Sequence, residues 1–250
     1  ALGRDNAIGV VDTVTRKQID AISAGSDPEA FSVSPDGNRL YVSNEDANTA
    51  SVIDTQTHQI IAVIPVGIEP EGVAVSPNGM TVYVTAETTH TVSVIDTIAL
   101  KVISTILVGS RPRAAAFTPD GKQAYITSEI GSVVSVIDTK TNKVIDSIKI
   151  EKKDKQIKPM GVIVSPDGKH VYVATGRGNL VAIIDTSTNT VISYIPVGMR
   201  VWGVALTTDG KKLYTANGIS NDVSVINTET EKVVATISTG KGPWGIAIEK

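Results

Sequence analysis

Two short motifs recur in step along this chain, and together they restrict its fold more than anything else in it. "VIDT" or a close variant closes six segments, with its Asp or Asn at Asp12, Asp54, Asp96, Asp138, Asp185 and Asn227. Subtracting successive positions gives spacings of 42, 42, 42, 47 and 42. "SPDG" variants keep the same step, at Asp36-Gly37, Asn78-Gly79, Asp120-Gly121, Asp167-Gly168 and Asp209-Gly210. Two interleaved motifs holding one period make the chain an array of equivalent units.

Each unit reads as four short strands. In one full copy "EGVAVS" is strand A, "TVYVTA" strand B, "TVSVID" strand C and "KVISTILV" strand D. β-Branched residues dominate all four, as suits a packed, pleated surface. The Asp-Gly and Asn-Gly pairs predict type I′ hairpins between A and B, with both central residues at positive φ. The "DT-x-T" segment after strand C predicts an Asx or Ser/Thr turn, which makes its aspartate structural. Strand A ("GVAV") is apolar or small throughout, which predicts a sheet covered on both faces. A four-stranded unit of this period, covered on both faces, is the blade of an all-β propeller. The expected architecture is therefore a single β-propeller domain over residues 1–250, with four-stranded antiparallel blades and six repeat copies.

Composition narrows the function classes. The formal net charge is −3 with both signs mixed along the chain, which argues against a general nucleic-acid binder. No apolar run approaches the ~18 residues of a membrane span. Cysteine is absent, which excludes disulfides, thiolate metal sites, CxxCH haem attachment and a Cys nucleophile. Histidines number three. His58 falls in a C–D turn, His170 starts a strand B, and only His90 reaches a B–C loop. No HExxH or GxSxG spacing marks a metal centre or nucleophile. "TGRGN" lies between strands, with no helix to present a phosphate-binding N-terminus. The residues call for no cofactor, and no catalytic residue is assigned.

The units "SPDGKHVYVATGRGNLVAIIDTSTNTVISYIPVG" and "SPNGMTVYVTAETTHTVSVIDT" resemble the YVTN family of β-propellers over the whole chain. More narrowly, "YVSNEDANTASVIDT", "RPRAAAFTPDGKQAYITSEIGSVVSVIDT" and "YTANGISNDVSVI" are similar to a periplasmic subgroup found beside genes for pyrroloquinoline-quinone (PQQ)-dependent alcohol catabolism. The resemblance implies an exported, periplasmic or extracellular protein with seven blades and no established catalytic residues. It further implies work near quinoprotein dehydrogenases and their cytochromes, one of which would be the protein partner. One departure stands out: Lys250 aligns with Pro77 and Ala1 with Thr85, so positions matching 78–84 have no counterpart. The blade built from the N-terminal strands C and D and the C-terminal "GPWGIAI" would lack its strand B, and residues preceding Ala1 are expected.

A meander running outward from the axis puts A–B hairpins and C–D turns on one rim. B–C loops and D-to-A crossings then share the other, at the mouth of the central channel. Loops on the first rim are near-copies; on the second they differ, and variable loops on a rigid scaffold are where binding resides. The residue opening strand A is Glu29, Glu71, Arg113, Met160, Trp202 and Trp244 in successive units. Acid, base, thioether and indole at one framework position, with Arg200 beside Trp202, fit a recognition surface of aromatic and Arg anchors. Indoles that merely plug the channel are the plainer alternative. A second set, in the B–C loops, is Glu45, Glu87 and Glu129, with Gly176 and Gly218 in later copies. Acid thus gathers on one side of the mouth, facing Arg177, Arg200, Lys241 and the tryptophans.

The expected function is a non-catalytic binding or scaffold subunit that takes a protein partner or small ligand at this mouth. Two alternatives stay open. One is a Ca²⁺-dependent, lactonase-like hydrolase using Glu29, Glu71 and Glu45 as hard oxygen ligands, with His90 as base. The other is a cell-surface structural module. The five extra residues of the 47-residue spacing fall in the crossing "KIEKKDKQIKPMG". They form a solvated loop or, alternatively, a docking arm for an acidic partner such as a cytochrome face.

Overall fold

Every β-branched run forms a strand, and successive strands pair with their sequence neighbours. The computed structural model describes residues 1–248; Lys250, which the sequence aligns with Pro77, lies outside the described residues. One unit is Ala1–Pro112 and the second begins within β11, at Arg113. In the first unit β1 (Ala7–Asp12) and β2 (Lys17–Ser23) form a two-stranded sheet. β3 (Pro28–Val33), β4 (Arg39–Asn44), β5 (Thr49–Asp54) and β6 (Ile60–Pro65) form a four-stranded blade. β7 (Pro70–Val75), β8 (Thr81–Ala86), β9 (Thr91–Asp96) and β10 (Lys101–Leu107) form the next.

The second unit holds three more blades. They are β11 (Pro112–Phe117), β12 (Gln123–Ser128), β13 (Val133–Asp138) and β14 (Lys143–Lys149); β15 (Val162–Val164), β16 (His170–Ala174), β17 (Leu180–Asp185) and β18 (Thr190–Pro196); and β19 (Val201–Leu206), β20 (Lys212–Asn217), β21 (Asp222–Asn227) and β22 (Lys232–Ser238). Each is an antiparallel meander in A-B-C-D order, as the repeat predicts. No described helix is long and apolar enough to cross a membrane.

Strand alternation explains how blades pack on one another. Leu40 and Val42 of β4 join Ile8 and Ile22 of β1 and β2 in one apolar cluster. Tyr41, between them, points to the opposite face and packs with Val82, Val84 and Ile95 of the next blade. The second unit repeats this: Tyr125 meets Val171, Val173 and Ile184, while Tyr172 meets Leu213 and Ile226. Two-sided burial therefore belongs to strands B and C, whose residues are almost all buried.

Strand A departs from the expectation of two covered faces: β3 and β11 are largely half-exposed, because A stands at a sheet edge. Its small residues serve close approach of neighbouring A segments instead. A Cβ on Gly161 would stand 2.7 Å from the Trp202 carbonyl oxygen, to which the Gly161 N–H donates at 2.9 Å. Strand-B hydroxyls reinforce the contact. Ser43 Oγ accepts the Ala30 N–H at 3.1 Å and donates to the Glu71 carbonyl at 2.5 Å. Thr127 Oγ1 does the same between Ala114 and Met160, at 3.1 and 2.5 Å.

The two sequence motifs turn out to be physically joined. The VIDT aspartate caps its own turn, as predicted: Asp54 Oδ1 accepts the Gln56 and Thr57 N–H groups at 3.0 and 2.8 Å. The threonine that follows donates its hydroxyl to the carbonyl of the hairpin glycine 18 residues earlier, in five copies. Thr55 reaches Gly37 at 2.6 Å, Thr97 Gly79 at 2.7 Å, Thr139 Gly121 at 2.6 Å, Thr186 Gly168 at 2.7 Å and Thr228 Gly210 at 2.6 Å.

The hairpins themselves are not type I′. Gly37 has φ 76°, while Asp36 is not among the positive-φ residues, and the Gly37 N–H closes a turn on the Ser34 carbonyl at 2.9 Å. Pro35 fixes the negative φ that a type I turn needs at its second position, and only the glycine enters the left-handed region. Asp36 instead ties the loop from inside, accepting from Ser34 Oγ at 2.5 Å and the Asn38 N–H at 3.1 Å.

Two further segments differ from expectation. Residues 243–248, the C-terminal "PWGIAI", carry no strand, since an extended segment becomes a strand only where a neighbour supplies its ladder. The β1–β2 sheet correspondingly has two strands among the described residues, rather than the mixed blade the repeat predicts. "KPMGVIV" yields only the three-residue β15, so Met160 lies before the strand and not at its start.

Candidate functional site

Within each unit one hydrogen bond recurs where the B–C loops meet the D-to-A crossings. The residue before strand C sits at positive φ and its side chain accepts a backbone N–H from the crossing 21 residues on. Asn6 accepts from Asp27 at 3.0 Å, Asn48 from Glu69 at 2.9 Å, Asn179 from Arg200 at 2.8 Å and Asn221 from Gly242 at 2.8 Å. Asparagine suits the place because it tolerates the left-handed region and carries a short acceptor. His90 occupies the same position, with φ 56°. Its Nδ1 lies 2.7 Å from the Glu87 carbonyl and 3.3 Å from the Arg111 nitrogen. The imidazole thus fastens a loop, and its contacts are with backbone.

In the first unit the crossings place carboxylates together. One oxygen each of Asp27, Glu29 and Glu45 lie within 4.8 Å of one another, while the Glu45 N–H donates to the Asp27 carbonyl at 2.8 Å. Burial, then the neighbouring Glu29 carboxylate, push the Glu45 carboxyl up to about 7. Such a group holds a proton near neutrality and offers oxygen ligands to a hard cation. Asp27, not Glu71, completes this trio; Glu71 is half-buried and its carbonyl takes the Ser43 hydroxyl. Glu87 is buried and paired with Arg111, Oε2 to Nε at 2.5 Å.

The second unit carries a different chemistry. Arg113 and Glu129, with side chains only 10% and 13% exposed, pair at 3.1 Å. Met160 is buried, packed with Ala174, Val201 and Trp202. Trp202 and Trp244 stack, ring centroids 3.8 Å apart and planes 23° from parallel. Arg200 adds a cation–π contact, its Cζ 4.6 Å from the Trp202 ring centroid. Trp202 is half-buried and Trp244 is 52% exposed.

These pairings explain why the B–C loop changes residue from copy to copy. Glu45, Glu87 and Glu129 stand in blades whose crossing residue is Glu29, Glu71 or Arg113. Where the crossing carries Met160 or Trp202, the loop carries Gly176 or Gly218. A Cβ at Gly176 would lie 2.6 Å from the Lys158 carbonyl oxygen and 3.2 Å from Met160 Cγ, and one at Gly218 2.7 Å from Trp202 Nε1. At Gly218 the indole therefore occupies the space that a loop side chain takes in the acid-bearing blades, while at Gly176 the positive φ of 54° and the Lys158 carbonyl act together with Met160.

Sequence reasoning overlooked Asp27, Glu69 and Arg111, and weighed Lys158 only as one lysine of the inserted crossing. Each is followed by a proline and then by Glu29, Glu71, Arg113 or Met160, in "DPE", "EPE", "RPR" and "KPM". Arg200, in "RVW", was the only member of that set singled out. The charge two positions before the crossing residue, present in five of the six crossings and replaced by Gly242 in the last, was the available signal.

Comparison with known proteins agrees with this architecture. A model described as YNCE-like β-propeller matches residues 2–120, and one described as lactonase, 7-bladed β-propeller matches residues 96–242. Among solved structures the chain is similar to the Kuenenia stuttgartiensis hydrazine synthase. That likeness has a TM-score of 0.87 and 25% identity, over 97% of this chain and 83% of that one. No curated protein matches the chain. With five meandering four-stranded blades among the described residues and more than half of its length matched by that second model, the chain belongs to the family described as lactonase, 7-bladed β-propeller.

Proposed function

We propose that this chain is a non-catalytic, exported propeller that binds a protein partner through the rim of B–C loops and D-to-A crossings. The observation that carries this reading is one backbone position, held by the same frame, that changes from Glu29 to Arg113 to Trp202 between blades. Packing alone selects similar side chains in similar environments; recognition selects different ones. The rim's charges also pair with one another, Glu87 with Arg111 and Glu129 with Arg113, which suits a rigid docking surface better than an acid–base pair. The subgroup resemblance in the sequence supports a periplasmic setting and a partner among quinoprotein dehydrogenases and their cytochromes. The test is capture from periplasmic extract of the native host on immobilised protein. Wild type retains a defined partner that the Trp202→Ala/Trp244→Ala variant, still folded, releases; equal capture by both defeats the reading.

The family's description favours a second reading, a hydrolase that opens a lactone with help from a divalent cation at Asp27, Glu29 and Glu45. Those carboxylates would hold the ion, and the proton on Glu45 would leave as it binds. A Ca²⁺-dependent rise in melting temperature, absent in Glu45→Gln, together with turnover of γ-butyrolactone, supports it. Neither effect in wild type removes it.

A further inference from the structure

The five-residue insertion that breaks the repeat period is built into the fold rather than looped out from it. Ile150 and Ile157 bracket it and are buried, 1% and 6% exposed, in the cluster with Tyr125 and Val171. Tyr194 donates its hydroxyl to the Glu151 carbonyl at 2.7 Å, and Lys152 Nζ lies 5.1 Å from the centre of the Tyr194 ring. Ser132 donates to the Ile157 carbonyl at 3.0 Å, and the Lys158 N–H to the Thr175 carbonyl at 2.9 Å. A turn closes from the Lys155 N–H to the Lys152 carbonyl at 3.1 Å.

What this ordered segment displays is positive charge. Lys149, Lys152, Lys153 and Lys155 are exposed and Lys158 is half-buried, against only Glu151 and Asp154. Glu151 is engaged by Lys149 at 2.7 Å. The Thr175 contact joins the segment to the loop bearing the exposed Arg177. Asn179 in that loop receives the Arg200 N–H at 2.8 Å, and Arg200 covers Trp202. These contacts tie the insertion, the loop of Arg177 and the crossing of Arg200 and Trp202 to one another, so basic residues recur from the arm to the tryptophan stack on a chain whose net charge is negative.

We propose that the insertion is a pre-ordered lysine arm that docks an acidic protein surface beside the tryptophan stack. The inference deepens the recognition reading by naming the chemistry of the partner. Local positive charge steers encounter and loses strength as salt rises, while an arm already ordered forfeits little freedom on binding. The buried isoleucines at either end and the exposed lysines serve both needs: the first fix the arm, the second meet the partner.

The test uses fluorescein-labelled oligoglutamate as the probe, read by anisotropy at low salt and at about 0.15 M. Lys153, Lys155 and Lys158 are changed together to Gln, which spares Lys149 and Lys152, whose contacts hold the arm. A control variant changes Lys140, Lys169, Lys211 and Lys212, on the opposite rim of the same unit, to Gln. The arm variant loses about tenfold in affinity, wild-type binding weakens with salt, and the control binds as wild type. Equal loss in arm and control variants, or no binding by wild type, overturns the proposal. So does tighter arm-dependent binding of oligo-dT or of phosphatidylglycerol vesicles, which would assign the strip to nucleic acid or membrane. The probe needs only charge and the arm variant keeps both tryptophans, so failure here and failure of tryptophan-dependent capture are separate results.

Discussion

Trp202 and Trp244 face each other at 3.8 Å between ring centroids, 23° from parallel, although 42 residues separate them in the chain. They are also the only two tryptophans. Stacked indoles couple their transitions, so the folded protein shows an exciton couplet in its far-ultraviolet circular dichroism. Trp244→Phe abolishes it and costs about 1 kcal/mol of stability. A couplet that persists in that variant contradicts the stack.

The Thr139 hydroxyl joins strand C's end to the hairpin glycine, Gly121, at 2.6 Å. Thr139→Val keeps shape and removes the bond, costing about 1 kcal/mol in urea unfolding. Thr186→Val removes the equivalent bond in the next blade, and the double variant loses about the sum, as separated sites do. A neutral double variant would show that the repeated bond contributes nothing.

Ion pairs on the two rims differ in weight. Glu129→Ala deprives the largely buried Arg113 of a partner and lowers stability by roughly 3 kcal/mol. Asp120→Asn at the exposed pair with Lys122, 3.3 Å, changes the pair's contribution by less than about 1 kcal/mol. Comparable losses in both would place Arg113 and Glu129 in solvent.

Glu45 gives the stability a pH signature. Its folded carboxyl titrates at about 7 against an ordinary 4.5, so the folded chain keeps a proton that the unfolded chain has released. The contribution is complete below about 4.5 and is lost as pH climbs through about 7. Glu45→Gln therefore gains on wild type across that window and matches its pH dependence below it. The turn aspartates act in the opposite sense and lower down: Asp54, held below its ordinary range chiefly by the Thr57 N–H, loses its contribution as pH falls. Parallel stability profiles for wild type and Glu45→Gln between the two values would refute the assignment.

Most of the fold was legible because it depends on periodicity, which survives in one sequence. Six "VIDT" copies and five hairpin dipeptides located the strands within a residue or two. What escaped depends on partners. Reading "DG" as a type I′ turn ignored Pro35, whose ring had already fixed the backbone one residue earlier. "GVIV" shows a small residue ahead of the strand but not that Gly161 gives way to the Trp202 carbonyl. "GPWGIA" has a strand's composition and no ladder. At the rim, the sequence marked the Trp and Glu positions but not their mutual exclusion, because Gly218 beside Trp202 becomes a steric statement only in three dimensions. Asp27 was hidden for a similar reason: its carboxylate matters through Glu45, 18 residues away.

The recurrent threonine-to-glycine hydrogen bond secures the rim that does not vary. Because each blade fastens its hairpin to its own third strand, changes at the far end need not propagate there. Five residues entered one crossing, yet Thr139 and Gly121 on one side and Thr186 and Gly168 on the other keep their separations. The chain is in effect a set of interchangeable sockets, so a crossing transplanted to another blade together with its matching B–C loop should carry its specificity with it.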